Sequence, residues 1–127
     1  MDRAPTSFEE FWPEYVRVHQ SKLNRTLHAI GIGLALACVV AAIFKRRPSL
    51  FLLAPVFAYG FAWCGHFLVE KNAPATFSHP LMSARAGALM FWKTICGDMD
   101  AEVARVLEDA ARDEAPASGR VPAEAVN

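Results

Sequence analysis

Two apolar runs, Leu27–Phe44 and Leu50–Val69, constrain this chain more than any other feature. The first, about 18 residues, would measure roughly 27 Å as a helix, close to the thickness of a bilayer's hydrocarbon core. The second, of about 20 residues, is also long enough to span. Lys45-Arg46-Arg47-Pro48 separates them with a short basic turn, so the pair is expected to form a helical hairpin. Gly31 and Gly33 offer small surfaces for close packing, and Pro55 and Gly60 are tolerated in a membrane helix. A buried hairpin in a soluble protein is the competing reading. Hydrophobic residues make up 54% of only 127, so too little polar chain remains to wrap two such helices. The expectation is an all-α membrane protein: a two-span hairpin flanked by amphipathic interfacial helices.

The flanks read as helices too. Ser7 and Glu10 have capping-box spacing and open a helix from Phe8 to His19 with an aromatic face, which places Trp12 and Tyr15 at headgroup depth. Gln20 to Arg25 is polar and bent, with Ser21 or Asn24 as a cap. After a loop from Lys71 to His79, Pro80 starts an amphipathic helix that carries Arg85 and Lys93 and stops at Gly97. Asp98 caps a last helix, Met99 to Arg112, with Val103, Val106 and Leu107 on one side. The expected division is a helical membrane domain over 1–97, an amphipathic helix over 98–112 and a disordered tail over 113–127.

Charge and cysteine usage exclude several functions. Thirteen basic residues balance thirteen acidic ones, which gives no sign of the basic face that nucleic acid would need. Cys38, Cys64 and Cys96 are far apart in apolar segments and read as free thiols rather than a metal or disulfide framework. Met1 to Glu10 is polar, without the apolar core of a signal peptide. Basic residues before and after the spans outnumber those of the turn, so both termini are expected in the cytoplasm.

The chemistry gathers at one end of the hairpin. His28 starts the first span and His66 lies near the end of the second, so antiparallel packing brings them together. His19 precedes the bend, and His79 follows the loop after the second span. Topology thus lets all four histidines meet at one interface. His19 and His28, nine positions apart, need the bend to share a centre. His66 and Glu70 lie one helical turn apart, as do Asn24 and His28. Imidazoles with a carboxylate suit iron or zinc, and an oxygen-activating site would use Fe(II) with open positions. Two other readings stand beside this one. The histidines could be satisfied amphipathic tips at an interface. Glu70 could pair with Lys71, Arg25 or Arg85, or orient His66 from behind.

The stretches His19…Asn24…His28…Gly31 and Gly65-His66…Glu70-Lys71…Pro74-Ala75 resemble the small membrane family that includes the fungal 2-hydroxy fatty acid dioxygenase. The resemblance covers roughly Phe8 to Gly97. It implies an Fe(II)-dependent enzyme of fatty acid α-oxidation, with His19, His28 and His66 matching the motif histidines and Asn24 and Glu70 its polar neighbours. His79 has no counterpart in the motif. A glutamine before the Gly-His step of the fungal form is absent, where this chain has Phe61-Ala62-Trp63-Cys64. With one hairpin rather than more spans, the chain looks like a compact bacterial member, which implies a bacterial inner membrane as its location.

The leading expectation is therefore oxidative removal of one carbon from a 2-hydroxy fatty acid. His19, His28, His66 and His79 are the candidate metal ligands, Glu70 and Asn24 the candidate catalytic groups, and Arg25 or Lys71 the candidates for attracting the substrate carboxylate. The partners are a fatty acid or lipid and the membrane, and the small enclosure leaves room for a homodimer. The alternatives are a non-catalytic integral membrane protein with structural histidines and a helical bundle that binds an apolar ligand.

Overall fold

In the computed structural model, residues 4–115 are described, and every element among them is helical. The order is α1 (Phe8–Arg17), α2 (Lys22–Phe44), α3 (Leu50–Cys64), a π-helical turn (Gly65–Glu70), a 3₁₀ turn (Ala75–Phe77), α4 (Pro80–Cys96) and α5 (Met99–Glu114). The tail expected to be disordered falls largely outside the described residues. Its first part does not: α5 continues as helix to Glu114.

Helices α2 and α3 form the hairpin. Gly31 lets the two helices approach closely, because a Cβ there would sit 2.8 Å from Phe57 O and 2.8 Å from Phe61 Cβ. Gly33, expected to share this role, has open space around it. The helix of the first span begins at Lys22, well before the apolar run itself, because Ser21 caps it by accepting the Asn24 N–H at 3.5 Å. Lys22–Phe44 and Leu50–Glu70 are both long and apolar enough to cross a membrane.

Their surroundings decide against a soluble core. Val40, Ile43, Phe44, Leu52 and Val56 are all more than half exposed, and no residue of α3 is buried. Water would make such a surface an aggregation hazard, whereas lipid matches it.

The packed core lies beside the hairpin. Phe11, Trp12, Tyr15 and Val16 of α1 pack against Ala86 and Met90 of α4 and Met99, Val103 and Val106 of α5. Trp12 and Tyr15 therefore do not face outward, as their amphipathic character suggests, but are covered inside the protein at 8% and 5% exposure. The α5 face that sequence periodicity marks as apolar covers them. Trp12 Nε1–H donates to Glu102 of α5 at 2.7 Å, which satisfies the buried indole. Arg105 also donates to Glu102, at 2.6 Å, and Lys93 of α4 lies 3.5 Å from it. Arg85 stacks over Phe8 at 4.0 Å. The three amphipathic helices thus form a cap on the end of the hairpin that carries the histidines.

Candidate metal centre

Three short segments bring three imidazoles together. Helix α1 ends at Arg17, and a bend through Val18 to Ser21 turns the chain into α2. His19 sits in that bend with no exposed surface. His28 lies on the second turn of α2, and His66 opens the π-helical turn that continues α3. Ring centroids are separated by 4.7 Å for His19–His28, 4.5 Å for His19–His66 and 5.0 Å for His28–His66. The rings meet nearly edge to face, at 78°, 77° and 89°. One donor atom from each lies within 4.8 Å of the other two.

The hydrogen bonds behind the rings fix which nitrogen faces the centre. His19 Nδ1 donates to Tyr15 O at 2.6 Å, His28 Nδ1 to Asn24 O at 3.0 Å and His66 Nδ1 to Asn72 Oδ1 at 2.7 Å. A carbonyl oxygen only accepts, so each Nδ1 carries the proton and each Nε2 presents a lone pair. The Nε2 atoms of His19 and His28 are 3.3 Å apart. Neither can donate to the other in this tautomer. Two buried lone pairs facing each other repel unless a cation lies between them. A proton is a poor candidate, because burial first, then the neighbouring His28, holds the His19 imidazole well below its ordinary titration range. The donor set fits a divalent ion: three neutral nitrogens, each backed by an oriented carbonyl, with no thiolate among them.

The remaining sequence candidates are placed as follows. His79 precedes α4 and packs on Phe11 at 5.5 Å between centroids, and it is not one of the clustered three. Glu70, one turn from His66 by α-helical counting, is not one of the clustered three. Its carboxylate accepts the Ser21 N–H at 2.5 Å, so it ties the end of the second span to the start of the first. Arg25 is buried and donates to His19 O at 3.0 Å, to Gln20 O at 2.5 Å and to Asp100 of α5. It holds the bend that carries His19. Lys71 is exposed and left-handed (φ 56°), closing the π-helical turn. Asn24 is fully buried, and neither atom of its side-chain amide has a hydrogen-bond partner among the described residues.

Asn72 carries a role that sequence reasoning did not assign. Its Oδ1 receives His66 Nδ1–H and its Nδ2 donates to Val18 O at 3.0 Å, so one side chain links the second span to the bend. These bonds also settle the orientation of the amide. An asparagine just past the histidine motif was visible in sequence. Its facing His66 depends on the left-handed Lys71, which an α-helical reading does not foresee.

A cavity of about 270 Å³ adjoins the histidines between α2, α3 and α4. His28, His66, Tyr15 and Ser83 contribute to its wall, as do Ile32, Ala58, Ala62, Ala84 and Ala88. Its lining is predominantly apolar, as is usual for small-molecule sites.

No curated protein and no solved structure shows significant similarity to the chain. Residues 5–99, which hold the whole histidine cluster, match the family described as 2-hydroxy-palmitic acid dioxygenase Mpo1-like, and the chain belongs to that Mpo1-like family.

Proposed function

We propose that this protein is an Fe(II)-dependent dioxygenase that removes one carbon from 2-hydroxy fatty acids at a membrane. The observation that carries the reading is the set of three inward-facing Nε2 lone pairs beside a predominantly apolar cavity. His19, His28 and His66 would hold the ion. Bound there, Fe(II) would supply activation of O₂ and an anchor for the substrate's carboxylate and hydroxyl. The family name supports the choice of a dioxygenase and of a 2-hydroxy acid. The overall change balances as R–CH(OH)–COOH + O₂ → R–COOH + CO₂ + H₂O, with one O₂ accepting the four electrons the substrate loses.

The chain's own part is to bind, orient and exclude water. Three uncharged ligands leave the full charge of a divalent ion uncompensated, which favours an anionic carboxylate over water. Glu70, held on the Ser21 amide, does not dilute that charge as a ligand. Ala58, Ala62 and His66 recur at intervals of four on α3 and its π-helical extension, so the cavity wall follows this helix for about 12 Å from the histidines. An acyl tail there would run along the spans, parallel to the surrounding lipid. The cap of α1, α4 and α5 covers the polar end. Basic residues flanking the spans support cytoplasmic termini for the hairpin.

Anaerobic loading of detergent-purified protein with Fe(II), followed by 2-hydroxy-palmitic acid and O₂, tests the proposal. The expected product is the acid one carbon shorter, with CO₂. Iron-loaded protein that consumes no oxygen above a His66→Ala control would exclude it.

A further inference from the structure

The wall of the cavity contains a hydroxyl that nothing in the fold uses. Tyr15 is 5% exposed, its ring stacked on His19 at 4.1 Å and packed near Phe11 at 5.8 Å and Trp12 at 6.0 Å between centroids. Those contacts fix the ring, yet the phenolic hydroxyl forms no hydrogen bond with any described residue. Tyr15 lines the same cavity as His28 and His66. On the facing helix stands Gly87, where a Cβ would come within 3.5 Å of the Tyr15 hydroxyl, so glycine keeps the space in front of it clear. Ser83, one turn earlier on α4, also lines the cavity, and its Oγ is buried without a partner. A buried hydroxyl such as Ser83 Oγ is normally satisfied, and together with the unengaged Tyr15 hydroxyl on the same cavity it marks where a polar ligand group belongs. Ile32, Ala58, Ala62, Ala84 and Ala88, also in the wall, ask for the opposite character. The cavity is amphipathic, and Tyr15, stacked on His19, lies at its histidine end.

We infer that the Tyr15 hydroxyl is a substrate-binding group, which donates a hydrogen bond to the carboxylate of a fatty acid whose tail occupies the cavity, with Ser83 as a second donor. This rests on the fatty acid reading of the site and adds the head-group contact within it. A phenol keeps its proton at physiological pH, so Tyr15 is available as a donor. The stacked ring also backs the His19 imidazole, which places the donor beside the cluster without making it a ligand.

Tyr15→Phe separates the hydroxyl from the ring. The experiment is equilibrium binding of 2-hydroxy-palmitic acid to detergent-purified, Co(II)-loaded wild type and Y15F, with a long-chain alcohol as the uncharged probe. A hydrogen bond to a charged group predicts about 10- to 100-fold weaker binding of the acid to Y15F, a smaller loss for the alcohol and unchanged Co(II) affinity. Ser83→Ala should weaken the acid in the same direction. Should Y15F fail to fold, Gly87→Ala, whose new methyl meets the hydroxyl at ordinary contact distance, is expected to lower acid affinity while Co(II) binding persists. Acid binding to folded Y15F within twofold of wild type would overturn the inference and leave the fatty acid reading standing. Wild type that holds Co(II) but binds no fatty acid would overturn both.

Discussion

Asn24 Oδ1 occupies the space in which a side chain at Gly65 would begin: a Cβ at Gly65 would lie 1.9 Å from that oxygen. The two spans meet here at a distance that glycine alone permits, one residue before His66 and four before His28. Gly65→Ala is therefore expected to push the spans apart at the site. Overpacking of this kind costs about 1–3 kcal/mol. Thermal unfolding in detergent should show a lower Tm and weaker retention of metal, whereas Gly33→Ala, in open space, should leave both unchanged.

Metal retention should divide the four histidines three to one. His19→Ala, His28→Ala and His66→Ala each remove a nitrogen from the cluster and should abolish stoichiometric Co(II) or Fe(II) binding. His79→Ala removes a ring that packs on Phe11 and should keep it. Elemental analysis of the four purified variants reads the result, and equal retention in all four would eliminate the centre.

Asn72 offers a finer test, because it touches the metal site only through His66. Asn72→Ala frees the His66 ring to rotate and to change tautomer, and groups in this position are worth about 10- to 100-fold in metal affinity. Asn72→Asp still accepts the Nδ1 proton and should recover most of that loss. A Co(II) titration followed by its visible spectrum distinguishes the two variants.

The length of the cavity predicts a chain-length preference. About 12 Å along α3 accommodates roughly ten bonds of an extended chain at ~1.2 Å each. Ala58→Phe would block the end remote from His66, so shorter 2-hydroxy acids should gain relative to 2-hydroxy-palmitic acid by about tenfold, the effect of one or two lost methylenes. Competition between acids of graded length, scored by product mass, measures this directly.

The cap has its own pH signature. Glu102 is held down to about 2 from an ordinary 4.5, first by the Arg105 hydrogen bond, against an opposing effect of burial, and then by Trp12 and Lys93. A depressed carboxylate contributes stability that is complete above its unfolded value and is lost as pH falls through its folded value. The Tm should therefore decline from about pH 5 toward pH 2, and Glu102→Gln should flatten part of that decline while lowering Tm at neutral pH. An identical slope in E102Q would remove Glu102 from the explanation.

How far the sequence spoke for the molecule depended on the range of the interaction. The hairpin was legible because length and hydropathy act along the chain, and Leu27–Phe44 and Leu50–Val69 needed no partner to be recognised. Convergence of His19, His28 and His66 followed from topology, with the bend at Val18–Ser21 close to where spacing required one. What escaped was whatever depends on a neighbour distant in sequence. Trp12 and Tyr15 look the same whether they meet headgroups or α5, and only tertiary packing decides between them. Asn72 escaped because its reach to His66 depends on the left-handed Lys71 just after the helical turn, which local helical counting does not include. Arg25 has the charge to attract a carboxylate, but its position under the bend commits it to His19 O, Gln20 O and Asp100.

The widened turn at Gly65–Glu70 acts as a spacer whose length is quantised. Such a turn holds one residue more than an α-helical one. Excising a single exposed position, Phe67 or Leu68, would let ordinary winding resume and rotate everything downstream by about 100°. His66 would keep its place while its partner at Asn72 swung out of reach. The joint should therefore tolerate a change of side chain at these two positions far better than a change in their number.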